Sequence, residues 1–511
     1  MLGAKSVLKK LRFAVLAIIV CFSLCACSKV QRHGQQIVFG APWEPISFHP
    51  QRGLDSASYY AQTLVYDGLI GYDNKLNFTP ALAEAFSVSA DGRMYIFVLR
   101  PNLRFSNGEK LTTADVVATL DVARAKESPY HTDFADIKKI EEKGNKIILS
   151  LSQPCAPLLS RLVELRILPS SIIGSADKGI SKLATHPVGS GAFYLAGWKS
   201  GLELVFKRNP YYWGNDIGLG AKCSELVWRV VPDKYLMALA LKNKELDIAQ
   251  VDAQSWQHFL RKSQLKLASF NGSRTVYLAF NLAASPFGNP YVRQAISAAI
   301  DKQALIKGLY EGFAVPATSD FPESSWVFNA RAKTWPYNPT EASSLLKQQG
   351  MEEIAFSILT VNDYRDQALV VAENLRQCGV KTEVHIAEYA TLRQRYLKKG
   401  LFQTCLLSRS TGPDPECILN WGTNGSFNFC RFSDKHVDAL LDVGRRSNIP
   451  AERKRTYEEV QAILADQQPF VFLLQPKLLI AHQPDITNVG TDSKNPLPWD
   501  NPVFNAKHWS R

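Results

Sequence analysis

Residues 83–116 read AEAFSVSADGRMYIFVLRPNLRFSNGEKLTTADV, and the local structure that they predict points to the fold. Met94–Leu99 is rich in aromatic and β-branched residues with alternating exposure, which is typical of a strand. Asp91-Gly92 favours a tight turn, so this strand is predicted to pair with the segment before it as a hairpin. Thr112 or Thr113 can then cap a helix over 113–123, in which Asp115 lies near the positive end of the helix dipole.

The same mixture of strands and helices continues through the rest of the chain. Helices are predicted over 290–300, which begins with a proline, and over 340–346, which runs towards a glycine stop at 350. A helix over 366–379 precedes a strand over 380–386. This alternation predicts an α/β fold. The chain has 511 residues, more than one hydrophobic core usually supports, so at least two domains are expected.

The first 26 residues have the composition of a secretory signal peptide. Four basic residues precede an apolar run over 13–24, and small residues follow it. The alternative is a membrane-spanning helix, but a span needs about 20 apolar residues and this run is shorter. We therefore expect residues 1–26 to be removed on export, which lowers the formal net charge of the chain from +12 to +8.

Leu24-Cys25-Ala26-Cys27 resembles a bacterial lipobox, in which the last cysteine is lipidated and becomes the mature N-terminus. Cys25 departs from the Ala, Ser or Thr that is usual there. Stable membrane attachment requires two or more hydrocarbon chains, such as palmitate. Cys27 is thus predicted to anchor the exported protein on the periplasmic side of a bacterial membrane. The alternative is ordinary cleavage with Cys27 left as a free thiol.

Cysteine usage and charge limit the other functions that the chain can have. Cys417 and Cys430 flank a Gly/Asn-rich loop and are the most plausible disulfide in an oxidising compartment, while the remaining cysteines can be buried thiols. No Cys/His spacing resembles a zinc site, so no metal is expected. Basic clusters at 393–399 and 453–455 lie in predicted amphipathic helices and are interpreted as solvated helix faces, so no nucleic acid is expected as a partner.

The stretch at 83–116 resembles the signature of bacterial extracellular solute-binding proteins, family 5, which bind oligopeptides, dipeptides or nickel for ABC importers. Further segments resemble the family in the same order along the chain: 65–69, 187–193, 208–213, 280–281, 292–295, 299–301 and 453–469. One of these segments alone would be weak, but the ordered series covers nearly all of the chain after the signal peptide.

The resemblance implies a type II periplasmic-binding-protein fold of two lobes, with an extra domain inserted in the first lobe. Lobe I is predicted to comprise 27–50, 181–278 and 485–511, the inserted domain 51–180, and lobe II 279–484. Hinge closure would enclose the ligand between the lobes. The protein, expected to be a monomer without a cofactor, would then deliver the ligand to a membrane permease driven by a separate ATPase, because this chain has no phosphate-binding GxxxxGK[ST] loop.

The family also suggests where the ligand binds. Its peptide receptors carry a carboxylate for the ligand amine four residues before the proline of an Asp-Pro pair, which is Asp414-Pro415 here. The resemblance makes Asp414 itself a candidate ligand-binding residue. Thr411 occupies the amine-binding position and is neutral, so recognition of a free peptide amine at this position is in doubt. Arg409 could bind a ligand carboxylate through its guanidinium, or it could pair with Asp414 or Glu416 to hold the loop.

Other candidates lie in stretches that border the cleft in this family. Trp43, Tyr59, Tyr60 and Trp421 could form aromatic walls for peptide planes, or each could pack in a core. Asn428 resembles a family loop asparagine that contacts ligand or turns the chain. His49 departs from the family's Leu-Asp-Pro and is interpreted as structural, since no second His or Cys is nearby.

The sequence therefore predicts a receptor for a peptide or peptide-like ligand. The alternatives are a binder of a metal chelate, murein fragment or sugar derivative, and a surface lipoprotein that uses the fold to bind a partner. An enzyme is not expected, since the chain lacks GxSxG, HExxH and dinucleotide-binding motifs. Gly189-Ser190-Gly191 is interpreted as a tight turn.

Overall fold

The computed structural model describes residues 35–53, 55–73, 75–173, 181–490, 497 and 500–511, and the predicted signal peptide and Cys27 lie outside them. The described residues form nineteen strands: β1 Gln36–Ala41, β2 Ile70–Tyr72, β3 Phe78–Pro80, β4 Ala83–Val88, β5 Met94–Leu99, β6 Ile137–Lys143, β7 Lys146–Leu151, β8 Phe193–Lys199, β9 Glu203–Arg208, β10 Glu225–Val230, β11 Ile248–Val251, β12 Lys266–Phe270, β13 Arg274–Phe280, β14 Ala314–Pro316, β15 Ala355–Thr360, β16 Lys381–Ile386, β17 Thr404–Ser410, β18 Phe470–Pro476 and β19 Leu478–His482.

Helices connect these strands. Those of seven residues or more are Ser56–Val65, Thr113–Arg124, Leu158–Glu164, Lys234–Lys242, Pro290–Ala298, Lys302–Tyr310, Pro339–Gln348, Arg365–Gln377, Lys435–Arg446 and Pro450–Gln467. Shorter helical segments are His131–Phe134, Ser170–Ile173, Ala253–Ser255, Trp256–Leu260, Asn362–Tyr364, Tyr389–Thr391, Leu392–Leu397, Ile418–Trp421 and Ala506–His508. Within the described ranges, no helix is both long and apolar enough to cross a membrane.

Lobe I is built on a seven-stranded mixed sheet in the order β12-β19-β11-β1-β10-β9-β8. The central strand β1 pairs in parallel with β10 and β11, and its residues from Ile37 on are buried. Phe39 packs edge-on against Trp228 at 5.4 Å between ring centroids and lies 5.9 Å from Trp509. The C-terminal segment therefore closes one face of the lobe I core.

The inserted domain contains the hairpin predicted around Asp91-Gly92. Strands β4 and β5 pair antiparallel in the four-stranded sheet β4-β5-β7-β6, and Gly92 has a φ of 66°, a conformation that favours glycine. The helix Thr113–Arg124 begins with a capping box in which Thr112 and Asp115 satisfy each other's backbone N–H groups. The predicted hairpin and helix are thus confirmed.

The boundaries of the inserted domain are narrower than the predicted 51–180. Its hydrophobic core runs from Leu69 to Ile167. The helix Ser56–Val65, which the prediction placed in this domain, instead buries Ala61, Leu64 and Val65 in the core of lobe I. The helix belongs to lobe I because its apolar face packs in that core and the helix contacts strand β8 of the lobe I sheet.

Lobe II is built on a six-stranded sheet in the order β14-β18-β13-β17-β15-β16. Its central strands β13 and β18 are apolar on both faces because helices and loops cover both sides. One face packs against helices that include Pro290–Ala298 and Arg365–Gln377, and the other packs against Trp421 and Tyr457.

The chain crosses between the lobes twice, and both crossings come earlier than predicted. The first lies between β12 of lobe I and β13 of lobe II, over 271–273 rather than at the predicted boundary of 278. The second is Lys477, between β18 and β19, rather than 484. The predicted two-lobed α/β architecture with an inserted domain is confirmed, and the two short crossings are where a hinge can bend.

Candidate functional site

The two lobes meet near the first crossing, where an arginine from lobe II faces an aspartate from lobe I. The Nε atom of Arg274 lies 4.0 Å from the Oδ2 atom of Asp500. The backbone N–H of Ser273 donates a 2.7 Å hydrogen bond to the other oxygen of Asp500. Asp500 itself is held by lobe I, since the next residue, Asn501, donates a 3.0 Å hydrogen bond to Thr63 on the helix Ser56–Val65.

The surroundings of this pair are mixed in polarity. Burial raises the pKa of the Asp500 carboxyl, and the positive charge of Arg274 partly offsets that rise. Tyr60 hydrogen-bonds to Arg274, and burial raises the pKa of Tyr60 to about 12. Arg274 keeps 36% of its side-chain surface exposed, against 10% for Asp500. The Arg274 side chain is therefore the more accessible member of the pair.

Aromatic side chains form the lobe I wall beside the pair. Trp43 lies 5.6 Å from the Tyr60 ring, and Tyr59 lies 6.1 Å from the same ring. The Arg166 guanidinium is 5.3 Å from the centre of the Tyr59 ring, within cation–π range. The predicted aromatic candidates Trp43, Tyr59 and Tyr60 are thus adjacent in space. Trp43 and Tyr59 are partly buried and pack against the lobe I core, whereas Tyr60 is 3% exposed and belongs to that core.

On the lobe II side of the Arg274–Asp500 pair lies Thr411. Its backbone N–H donates a 3.1 Å hydrogen bond to the carbonyl of Ser273, whose own N–H binds Asp500. On the same strand as this segment, Ser408 makes a 2.5 Å hydrogen bond with the hydroxyl of Tyr364. The neutral Thr411 is therefore separated from the Asp500 carboxylate by a single residue, and that carboxylate belongs to the other lobe.

A second cross-lobe contact lies between the inserted domain and lobe II. Glu416 is only 3% exposed, and its Oε2 accepts a 3.0 Å hydrogen bond from Arg161 of the inserted domain. Its Oε1 lies 3.7 Å from Arg445 of lobe II. Arg445 in turn donates a 2.9 Å hydrogen bond to the carbonyl of Thr132 and lies 3.8 Å from Asp136, both in the inserted domain. We call these residues the Glu416 cluster.

Arg409 does not pair with Asp414 or Glu416, as one sequence interpretation held. It pairs through Nε and Nη2 of its guanidinium with the two oxygens of Asp320, which is 3% exposed. Trp421 Nε1 donates a 2.6 Å hydrogen bond to the same carboxylate, and the Arg409 guanidinium lies 4.5 Å from the Trp421 ring. Trp421 is 1% exposed, so it belongs to the lobe II core and not to a cleft wall. Arg409 is likewise held inside lobe II.

Two further candidates have structural partners. Asp414 forms a bidentate ion pair with Arg453, in which Nη2 and Nη1 of the arginine donate hydrogen bonds of 2.7 and 2.9 Å to the two carboxylate oxygens. Arg453 is therefore not on a solvated helix face, which corrects the interpretation of this residue, whereas Lys454 and Arg455 are exposed as expected. Asn428 donates to the carbonyls of Gly422 and Phe432 and accepts from the Phe432 N–H, so its side chain fixes the turn of its own loop.

The predicted Cys417–Cys430 disulfide is not formed. All six cysteines of the described residues are buried free thiols, and the Cys430 thiol donates to Asn428 instead. Within the described ranges no group of three or more His, Cys, Asp or Glu side chains is placed to hold a metal ion. His49 is buried, and its Nδ1 accepts a hydrogen bond from the Gln51 N–H, which is the structural role expected for it.

Asp320 provides a test of how the interior of lobe II is held. Asp320→Ala leaves the buried Arg409 without its carboxylate, and we expect the free energy of unfolding to fall by about 3–5 kcal/mol. Asp442→Ala is the matched control, because Asp442 pairs with Arg446 on an exposed helix face and should cost about 1 kcal/mol or less. Urea unfolding followed by tryptophan fluorescence measures both, and equal losses would contradict the assignment.

Sequence reasoning missed Arg274, Asp500 and the Glu416 cluster. Arg274 had one usable signal, since it is a charged residue directly before the apolar run TVYLAFNL and after a Gly-Ser pair. Asp500 and Arg161 had none, because their partners across the lobes, Arg274 and Glu416, are 226 and 255 residues away in the chain.

Known proteins share this architecture. The family model for bacterial extracellular solute-binding proteins, family 5 (middle), matches residues 77–428, more than half of the chain. The glutathione-binding protein GsiB of Shigella flexneri is 29% identical over 465 residues, which cover 86% of this chain and 88% of that protein. A GsiB from Salmonella typhimurium is 29% identical over 464 residues, with the same shares covered.

Solved structures agree in fold. The periplasmic binding protein DppA of Helicobacter pylori, in complex with the peptide STSA, is 24% identical with a TM-score of 0.81 and covers 92% of this chain and 98% of that one. NikZ of Campylobacter jejuni, in complex with Ni(L-His), is 21% identical with a TM-score of 0.82 and covers 94% and 100%. The family match, together with two lobes joined by two short crossings, shows that this chain belongs to the bacterial extracellular solute-binding proteins, family 5, the solute-binding components of ABC importers.

Proposed function

We propose that the protein captures a short peptide or peptide-like ligand between its lobes, near Arg274 and Asp500, and delivers it to an importer permease. The observation that carries this proposal is the pair of opposite charges contributed by the two lobes at one place. A zwitterionic ligand matches such a pair, with its carboxylate at the accessible Arg274 and its ammonium group at Asp500. The role is binding rather than catalysis.

The arrangement also accounts for the neutral residue at 411. The carboxylate that family peptide receptors carry at that position is replaced here by Asp500, which lies beyond Ser273 in the other lobe. Because this carboxylate and Arg274 come from different lobes, a ligand that touches both favours the closed arrangement. Trp43 and Tyr59, the partly buried rings beside this pair, supply apolar surface for the rest of the ligand.

The relatives support the same ligand class. GsiB proteins are named for glutathione, a tripeptide, and the Helicobacter structure holds a tetrapeptide. Reduced glutathione is therefore the first ligand to titrate, followed by a panel of di- to tetrapeptides. Native mass spectrometry of gently purified protein identifies any ligand that is retained.

Calorimetry with blocked peptides tests the charge arrangement. For the best peptide of the panel, N-acetylation or C-terminal amidation should each weaken binding by about tenfold or more, because each removes one charge-assisted hydrogen bond. Equal affinity for the free and both blocked forms would contradict a zwitterion site. No measurable binding of any peptide or of glutathione would contradict the ligand class.

The same proposal includes attachment to a membrane through Cys27. Cys27→Ser should move the protein from the membrane fraction to the soluble periplasmic fraction, because one residue carries the acyl chains. Cys25→Ser is the matched control and should stay in the membrane fraction. Mass spectrometry of the mature N-terminal peptide checks the chemistry, and an unacylated N-terminus in the wild-type protein would refute the anchor.

A further inference from the structure

Lobe II contains a cavity that does not involve the contacts between the lobes. Its volume is about 330 Å³, near the lower end of the range of ligand pockets and equal to roughly ten water molecules. The cavity lies between the start of the helix Lys302–Tyr310, the segment after β14, and the loop that carries Trp335. None of its lining residues belongs to lobe I or to the inserted domain.

Lys302 is the notable polar group of this cavity. Its ammonium group donates a 2.9 Å hydrogen bond to the carbonyl of Ala317, and no carboxylate of the described residues lies within ion-pair distance of it. An ammonium group has three N–H donors, so two remain for other acceptors. Burial lowers the pKa of Lys302 to about 8, which reflects the cost of keeping this charge away from water.

The other charged groups that line the cavity already have bonding partners. Asp301 caps its helix by accepting a 2.9 Å hydrogen bond from the Ala304 N–H. Lys333 lies 3.1 Å from Asp466 and 4.1 Å from the centre of the Trp335 ring. Lys302 is therefore the cation of the cavity that an incoming anion would stabilise.

The remaining lining fits an apolar body. Ile300, Pro316, Trp335 and Phe472 contribute apolar surface to the cavity, and Thr318 contributes a hydroxyl. The neighbouring Asp301 carboxylate disfavours a dianion such as phosphate by like-charge repulsion. From the cavity and its lysine we infer a second binding site, in lobe II, for a small organic monocarboxylate with an apolar or aromatic body. This site goes beyond the peptide site proposed between the lobes.

Benzoate is the probe, because it has one carboxylate and an aromatic body that fits the volume. Thermal shifts of the wild-type protein, Lys302→Met and Lys307→Met are measured against benzoate concentration. Lys307 lies on the same helix and is exposed, so it is the matched control. We expect benzoate to stabilise the wild type and Lys307→Met and to leave Lys302→Met unshifted. Calorimetry with the peptide ligand checks that each variant keeps the interlobe site, so failure of one site is distinguished from failure of the other.

A labelling experiment gives an answer that needs no variant. Lys302 is acetylated at pH 8 with an N-hydroxysuccinimide ester and quantified by peptide mapping. At a benzoate concentration about four times the Kd from the thermal shifts, its rate should fall about fivefold, while that of Lys307 stays unchanged. Unchanged labelling of Lys302, or equal benzoate shifts in all three proteins, would overturn the site and leave Lys302 as a cation bound only to the Ala317 carbonyl.

Discussion

Arg274→Ala is expected to weaken binding of the peptide ligand by about 10- to 150-fold. The variant loses the charge-assisted hydrogen bond to the ligand carboxylate, which contributes about 1.5–3 kcal/mol. Isothermal titration calorimetry measures the change. Arg331→Ala is the matched control, because Arg331 is also in lobe II but its side chain is 88% exposed, and its affinity should match the wild type.

The same variant should change how binding depends on pH. Burial raises the pKa of Asp500 and Arg274 lowers it, so removal of Arg274 raises this pKa further. The carboxylate is the form that binds a ligand ammonium group, and it is lost as the pH falls through the pKa of Asp500. The residual binding of Arg274→Ala should therefore decline at a higher pH than that of the wild type. An unchanged affinity, or an identical pH profile, would remove Arg274 from the site.

The substitution Asp500→Asn tests the negative charge of Asp500 separately from the positive charge of Arg274. It keeps the shape of the side chain and the acceptor for the Ser273 N–H, but it removes the negative charge. The variant should lose discrimination between the free and the N-acetylated peptide, while discrimination against the amidated peptide remains with Arg274. The opposite pattern would contradict the assignment of the ligand ammonium group to Asp500, because a ligand carboxylate at that position would meet a like charge.

The local elements were predictable because their signals lie within a few residues of one another. The Asp91-Gly92 turn and the capping box at Thr112 depend on backbone conformation and on contacts three residues apart, and both occur where the sequence placed them. The crossings were misplaced for the opposite reason. Strand β13 and strand β19 are continuous apolar runs, and the sheet to which each belongs is decided by partners far away in the chain.

The candidate site shows the same difference between features set by nearby residues and features set by distant partners. Trp43, Tyr59 and Tyr60 could be found from family position, since they come from two neighbouring segments of lobe I. Arg409 and Trp421 occupy family positions too, but Asp320, 89 residues before Arg409, draws both into the core of lobe II. A single buried carboxylate can therefore remove two candidates from a cleft, and nothing around Asp320 in the sequence indicates that it does so.

Glu416→Gln is expected to open the lobes. The substitution keeps the shape of a side chain that is 3% exposed and removes the negative charge between Arg161 and Arg445. Arg161 keeps Asp133 at 3.0 Å within the inserted domain, so the loss falls on the contact between the lobes. We expect the closed arrangement to lose about 1.5–3 kcal/mol, and ligand affinity to fall by about 10- to 150-fold, because closure and binding are coupled.

Small-angle scattering measures the opening as a larger radius of gyration, and calorimetry measures the affinity. Glu373→Gln is the matched control, because Glu373 pairs with Arg376 on the same helix of lobe II and this pair makes no contact between the lobes. A double-mutant cycle with Arg161→Met isolates the cross-lobe contribution, since a coupling free energy near zero would show that Glu416 acts inside lobe II alone.

Because the cluster is buried, added salt should change the wild-type scattering little, whereas exposed ion pairs would be screened. The Glu416 cluster thus adds to closure independently of the charges that face the ligand, and its removal should weaken every ligand by the same factor.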